Sequence, residues 1–201
     1  MAEGPTPVCR VVTGNDERGR SRVVWDGPAP NAIGAPGGPG RGMTDLWVYH
    51  SSPAPLSGER DDGHLPYSFE PPPDGGHLRI VQSRGRQPGY DPAKDPNAVP
   101  RHEPRQRPGG TWDRGGNNAF SSPVHKTETV DYGILFEGER VLLLDDGEWV
   151  MKPGDVVVQV GNWHGWTSPR ENCRMAFVMM GGTFEDSSAR DTPHPGMPIR
   201  T

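Results

Sequence analysis

A chain of 201 residues is long enough for one domain with a hydrophobic core and marginal for two. Its formal net charge of −5 argues against a general nucleic-acid binder, which normally has a basic face, and no apolar run is long enough to span a bilayer. The 28 glycines and 24 prolines, about a quarter of the chain, indicate irregular segments around a compact core.

Short apolar runs, separated by Gly, Pro, Asn and Asp, recur along the chain and predict β-strands. No window has the apolar period of about 3.6 residues that marks an amphipathic helix. The sequence therefore predicts an all-β fold. In chain order, the predicted strands cover residues 10–13, 21–25, 45–50, 78–83, 124–137, 140–145, 148–151, 156–160, 165–168 and 174–180.

Turn residues predict two hairpins and two long loops. Residues 14–19 join the first two predicted strands, and Asp146-Gly147 is typical of a type I′ turn because both residue types accept positive φ angles. Segments 26–43 and 84–123 have little strand pattern and are predicted to be irregular. We expect the second of these loops to close as a lid over a binding site.

One predicted strand has a row of polar residues on a single face. Successive side chains alternate across a strand. One face therefore holds His125, Thr127, Thr129 and Asp131. Such a polar row suits the wall of a wet cavity inside a barrel better than a dry core. The same alternation places His164 and Trp166 on one face of a later strand.

Residues 125–138 fit a motif that runs from a His-x-His pair through a carboxylate to a later glycine. His125 takes the first histidine position, and Thr127 stands where the second histidine is usual. Asp131 takes the acidic position, and Gly138 closes the motif.

A second motif lies about fifteen residues further on. Gly154 opens it, Gln159 stands at a position that is usually proline, and His164 takes the histidine position. In these two motifs and in their separation, residues 120–182 resemble the cupin superfamily.

The resemblance implies a double-stranded β-helix, the cupin jelly-roll barrel, with long irregular loops. We expect a single cupin domain over 1–201, with a core barrel at about 43–182. Strands within 8–27 are predicted to extend one sheet, and residues 185–201 to form a polar tail. Because cupins are frequently homodimers, the resemblance also implies a homodimer.

The resemblance implies a metal site as well. His125, Asp131 and His164 are the candidate ligands of a divalent metal such as iron, manganese, zinc or nickel. The sequence leaves open that no metal binds. In that case the same three groups are the candidate catalytic acid and base, because a histidine beside a carboxylate is suited to proton transfer. A purely structural hydrogen bond between His125 and Asp131 is a third interpretation.

Six further residues are predicted to contact a small-molecule substrate. Aromatic side chains could stack on a planar ligand or pack in the core, and the polar ones could donate or accept hydrogen bonds. These candidates are Thr127, Thr129, Gln159, Trp166, Trp47 and Tyr49.

The leading functional hypothesis is a small-molecule enzyme with non-redox lyase or isomerase chemistry: dehydration, decarboxylation or cyclisation of a hydroxylated or carbonyl-bearing metabolite. The resemblance is compatible with natural-product biosynthesis. The alternatives are an iron-dependent dioxygenase and a ligand-binding cupin without catalysis. No nucleic-acid or membrane partner is expected. Cys9 and Cys173 suggest no disulfide framework, and no signal-peptide pattern is visible, so the predicted compartment is the cytoplasm.

Overall fold

The computed structural model describes residues 4–35, 40–56, 61–168 and 170–185. Within them the chain forms strands and two short 3₁₀ turns, Asp62–His64 and Pro92–Lys94, and no helix there is long and apolar enough to cross a membrane. The all-β prediction is confirmed. The predicted tail lies outside the described residues from 186 onwards.

The described residues contain fourteen strands. They are β1 (Cys9–Asn15), β2 (Ser21–Pro28), β3 (Asn31–Gly34), β4 (Gly42–Tyr49), β5 (Gly76–Ser83), β6 (Val99–Gln106), β7 (Trp112–Asn117), β8 (His125–Lys126), β9 (Thr129–Glu137), β10 (Arg140–Leu144), β11 (Gly147–Met151), β12 (Val156–Val160), β13 (Gly165–Thr167) and β14 (Cys173–Gly181).

The main wall is a six-stranded sheet in the order β12-β9-β14-β5-β4-β3, with every neighbouring pair antiparallel. Two smaller sheets, β11-β10-β13 and β6-β7-β8, make up the second wall. These smaller sheets meet where His125 and His164 exchange two backbone hydrogen bonds, of 2.8 and 2.9 Å. Two facing layers of antiparallel strands are the expected jelly-roll architecture.

The hydrophobic core lies between the main wall and the β11-β10-β13 sheet. Met175, Phe177 and Met179 alternate with outward-facing residues along β14 and are buried. They pack with Leu142 and Trp166 from the opposite sheet. Burial of each such apolar side chain stabilises the fold by about 1.5–3 kcal/mol.

The predicted strands agree with the structure except at their ends and at one break. The long strand predicted over 124–137 is divided at residues 127 and 128 into β8 and β9. The predicted hairpin forms between β10 and β11, but Gly147 already pairs with Leu144, so the two turn residues are Asp145 and Asp146. Neither Asp146 nor Gly147 has a positive φ, so the type I′ prediction is wrong.

The prediction that segments 26–43 and 84–123 are irregular is wrong in part, because they contain β3, β6 and β7. Strand β6 includes Pro100 and Pro104, and its register breaks between Arg101 and Arg105. It lies at the edge of its sheet, where proline is tolerated because one side of the strand needs no ladder partner. Its sequence therefore lacks the alternation that predicts a strand.

The N-terminal strands do not extend a larger sheet, contrary to the prediction. Strands β1 and β2 pair with each other as a separate two-stranded sheet. A side chain fastens this hairpin to the barrel: Arg10 Nη1 donates to the carbonyl of Leu46 at 2.8 Å, and its Nη2 pairs with Asp61 at 2.5 Å. These side-chain contacts, rather than the predicted backbone pairing with a larger sheet, hold the β1-β2 hairpin against the barrel.

Candidate functional site

A chamber of about 540 Å³ opens between the two walls. Its volume is in the range of small-molecule binding sites. The β6-β7 segment covers part of it, since Arg107, Thr111 and Asn117 contribute to the lining. Charged and polar side chains such as Arg41, Glu70 and Arg79 also line it. The apolar and aromatic side chains of the lining include Met43, Phe69, Val81, Phe120, Trp166, Phe177 and Met179.

His125 and His164 lie side by side in this chamber. Residues that exchange both backbone hydrogen bonds in an antiparallel pair project their side chains to the same side. The two imidazole centroids are accordingly 4.3 Å apart, with the rings tilted by 55°. The backbone pairing of β8 with the segment before β13 therefore fixes the imidazole pair.

The Nδ1 atom of each imidazole is held by a backbone carbonyl. His125 Nδ1 lies 2.8 Å from the oxygen of Pro123, and His164 Nδ1 lies 3.0 Å from that of Asn162. A carbonyl oxygen can only accept, so Nδ1 carries the proton and donates it. In the neutral rings, both Nε2 atoms are therefore left as acceptors.

Burial keeps both imidazoles neutral. It lowers the pKa of His125 despite the opposing hydrogen bond to Pro123. The pKa of His164 falls well below its usual value, first because of burial and then because of the neighbouring His125. Two uncharged imidazoles at neutral pH are competent proton acceptors.

Asp131 on β9 is a buried carboxyl that also lines the chamber, with 4% of its surface exposed. Its Oδ1 atom has no hydrogen-bond partner among the described residues. Burial raises its pKa to about 6, while a hydrogen bond with Thr129 and the charge of Arg79 act in the opposite direction. Near neutral pH it can therefore exist in both protonation states.

Gln159 lies directly opposite Asp131 in the β9-β12 ladder. It is buried, and neither atom of its amide group has a partner among the described residues. Thr127 and Thr129 are buried next to them, and their hydroxyl oxygens are 2.6 Å apart. Asp131 thus stands in a polar part of the wall.

Comparison with known proteins gives local sequence matches, and no protein-family model matches the chain. A phomopsin biosynthesis cluster protein of Diaporthe leptostromiformis is 44% identical over 62 residues, which are 29% of this chain and 33% of that protein. A cupin-domain-containing oxidoreductase of Hypocrea virens is 50% identical over 60 residues, 29% of this chain and 31% of that protein. The matched segment spans about a third of these curated relatives.

Among solved structures, the cupin domain of Cnp3 from Schizosaccharomyces pombe is similar with a TM-score of 0.42 and 10% identity. The similarity covers 95% of this chain and all of that domain. The local matches to cupin-domain proteins agree with the motifs at His125 and His164 and with the two-walled β fold. These local matches support assigning the chain to the cupin superfamily.

The metal set expected of a cupin does not assemble here. Among the residues that the structure describes, no three His, Cys, Asp or Glu side chains lie close enough together to hold one ion. Asp131 therefore does not complete a three-ligand set with the imidazoles of His125 and His164. These residues do not fit a resident metal with three protein ligands, and no chemical step below passes through one.

The chamber contains four of the predicted site residues, His125, Asp131, His164 and Trp166. Thr127, Thr129 and Gln159 are buried around Asp131 but do not themselves line the chamber.

Trp47 and Tyr49 do not line the chamber, and their prediction as substrate contacts is corrected. A bulge between Asp45 and Trp47 shifts the register of β4 against β5. Without it, alternation would keep Trp47 and Tyr49 on the inner face with Asp45. The bulge reverses the later residues, so Val48 pairs with inward-facing His77 instead.

Sequence reasoning missed Arg140, a buried arginine that lines the chamber. It begins β10 and precedes an apolar run, Val141 to Leu144. Strand alternation puts it on the same face as Leu142, which belongs to the core. The alternation of side chains along β10 is therefore the sequence feature from which the inward position of Arg140 could have been predicted.

Proposed function

We propose that this cupin is an enzyme that catalyses a non-redox lyase or isomerase reaction on a hydroxylated or carbonyl-bearing small molecule. Dehydration, decarboxylation, cyclisation and isomerisation all belong to this class. The observation that supports it best is the presence of two neutral imidazoles, each with an acceptor Nε2 atom, and a protonatable carboxyl in one chamber.

The proposed step is a proton transfer with no net change in electrons. The Nε2 atom of His125 or His164 accepts a proton from the carbon next to a carbonyl or from a hydroxyl group. Asp131, in its protonated form, donates a proton to the developing oxyanion or to a departing hydroxyl, which leaves as water. The carboxylate is then reprotonated by the imidazolium, directly or through solvent, and the cycle closes.

Aromatic side chains in the chamber wall favour this chemistry. A substrate bound against Phe69, Phe120 and Trp166 would displace water, which would strengthen the interaction of a developing charge with Asp131 and the imidazoles. The β6-β7 segment covers part of the chamber and is the proposed lid.

The matched relatives support a place in natural-product biosynthesis. One is named as a protein of the phomopsin biosynthesis cluster and another as a protein of the oryzines biosynthesis cluster. A biosynthetic enzyme acting on a metabolite intermediate is therefore the proposed setting, and the small molecule is the proposed partner.

Deuterium exchange tests this function without a known substrate. A panel of hydroxyaryl ketones incubated with the protein in D₂O is followed by proton NMR, and we expect the α-protons of at least one ketone to exchange. His164→Gln should abolish the exchange, while His50→Gln, at an exposed position, should leave it unchanged. Exchange that is equal in all three proteins would contradict the proposal.

The names of three relatives favour a second candidate, an oxidoreductase such as an iron-dependent dioxygenase. Each is called a cupin-domain-containing oxidoreductase. Iron content after purification and oxygen uptake with added Fe(II) distinguish this candidate, since proton-transfer chemistry consumes no oxygen. Binding without catalysis would instead appear as an Asp131→Ala variant with altered ligand affinity and no turnover to lose.

A further inference from the structure

We infer that Arg140 forms an anion-binding subsite in the chamber, so that the molecule bound there is a planar organic acid with a carboxylate at one end and an apolar or aromatic body. This inference rests on the proposed function and narrows its substrate class. It follows from the position of Arg140, from its lack of a charged partner and from the shape of the surrounding wall.

The Arg140 side chain is almost completely enclosed, with 5% of the residue exposed, and it lines the chamber. Its Nε and Nη1 atoms have no hydrogen-bond partner among the described residues. No carboxylate of those residues lies within ion-pair distance of it. A guanidinium stays charged under all ordinary conditions, and burying it without an anion is costly.

Two other arginines that line the chamber, Arg79 and Arg107, differ from Arg140 because carboxylates neutralise them. Arg79 Nε lies 2.6 Å from Asp45 Oδ1, and its Nη1 also donates to the carbonyl of Phe69. Arg107 Nε lies 2.5 Å from Asp113. Arg79 and Arg107 thus each have a carboxylate partner, whereas Arg140 has none among the described residues.

Two aromatic rings lie close to the Arg140 guanidinium and supply no hydrogen-bond acceptor to its N–H groups. Its Cζ atom lies 4.9 Å from the centroid of the Trp166 ring and 5.8 Å from that of Phe177. Such cation–π contacts use the flat face of the group, whereas its N–H donors point outward in the plane. A carboxylate matches that edge because it accepts two parallel N–H bonds.

The subsite lies on the same side of the chamber as the imidazole pair. The ring of His164 is 6.2 Å from that of Trp166, and Trp166 in turn stacks on Arg140. A planar acid held at Arg140 would extend along Trp166 towards the two Nε2 atoms. Arg140 is thus proposed as a positioning and specificity residue for the proton-transfer reaction.

Calorimetric titration with benzoate and with benzamide tests the subsite, because the two probes share size and shape but only benzoate is an anion. We expect the wild-type protein to bind benzoate at least tenfold more tightly than benzamide. Arg140→Met should lose that preference, and Arg140→Lys should keep part of it. Arg174→Met is the matched control, since Arg174 pairs with Glu137 outside the chamber.

The binding data decide whether Arg140 forms an anion-binding subsite. Equal affinity of the wild-type protein for the two probes, or no benzoate binding at all, overturns it. Unchanged benzoate affinity in a folded Arg140→Met protein also overturns it. If that variant does not fold, the comparison of wild type with Arg140→Lys decides. Benzoate binding that depends on Arg140, together with no deuterium exchange in any ketone, would overturn the proposed function and leave the subsite standing.

Discussion

His125 and His164, which are 39 positions apart in the chain, exchange two backbone hydrogen bonds and hold their imidazole centroids 4.3 Å apart. The backbone makes this link, so the side chains are free for chemistry. The pair joins the two smaller sheets and faces the chamber. One feature of the fold thus serves both the architecture and the candidate site.

Replacing either imidazole should remove activity with little loss of structure. The backbone bridge does not depend on the side chain, so His125→Gln and His164→Gln should retain the wild-type circular dichroism spectrum. Loss of a general base typically costs about 100- to 10,000-fold in rate. Single-turnover rates on the ketone found by deuterium exchange would measure this, and a tenfold or smaller effect in both variants would count against the imidazoles as bases.

Asp131→Asn should change how stability depends on pH. The pKa of Asp131 is raised in the folded state to about 6, so the stability that its proton contributes is present at low pH and is lost as pH rises through about 6. Asparagine has no such proton to lose. The variant should therefore gain up to about 3 kcal/mol relative to wild type between acidic and neutral pH.

Urea unfolding of wild type and Asp131→Asn across that pH range measures the difference. Subtracting the unfolding free energy of one protein from that of the other at each pH removes the contributions of the other titrating groups, which both proteins share. A constant gap in unfolding free energy at all pH values would show that Asp131 titrates normally, and its assignment as a proton donor near neutral pH would fail.

The buried histidines should affect the pH dependence of stability with the opposite sign to Asp131. Because the folded-state pKa of His164 lies below its unfolded value, its contribution to stability is present above about pH 6.5 and is lost as pH falls. His164→Gln should consequently be less sensitive to acid than wild type. Thermal unfolding in a series of buffers below neutral pH checks this, and parallel curves for the two proteins would contradict it.

The β4 bulge predicts different roles for two tryptophans. Trp166 lines the chamber and stacks on Arg140, so Trp166→Leu should weaken benzoate binding. Trp47 lies beyond the bulge and outside the lining, so Trp47→Leu should leave benzoate affinity within about twofold of wild type, a change of less than 0.5 kcal/mol. A large effect of Trp47→Leu on binding would mean that the register of β4 is wrong.

The homodimer expected from the sequence remains a prediction, and the outer face of β9 and β12 is where it is best tested. Val156, Val158 and Val160 are more than half exposed on β12, which lies at an edge of its sheet. An edge strand with an apolar face is suited to association with a second copy. Val158→Glu should therefore shift the protein towards monomer in analytical ultracentrifugation, and a wild-type protein that is monomeric throughout would refute the dimer.

The sequence predicted the candidate site better than it predicted the walls around it. Strand alternation and the two motifs identified His125, Asp131 and His164, and all three reach the chamber. Those motifs could not reveal that Asp131 does not complete a three-ligand metal set with the imidazoles, because a motif gives the order of residues and not the distances between their side chains.

Features that depend on register or on weak patterns were not predictable from one sequence. The bulge in β4 adds one residue and reverses every later side chain, yet no residue type in Leu46-Trp47 signals it. Strand β6 is missed because its prolines and charges suit an exposed edge rather than a core strand. Arg140 was overlooked because a charged residue before an apolar run is usually taken as a strand end.

The central claim is that His125 and His164 are neutral bases with their protons on Nδ1. Nitrogen-15 NMR of the histidine-labelled protein at about pH 6 measures this directly, since imidazolium and the two neutral tautomers have distinct shifts, whereas an unperturbed histidine is mostly charged there. We predict that both histidines show a protonated Nδ1 and an unprotonated Nε2. Imidazolium signals for both, or a proton on Nε2, would contradict it.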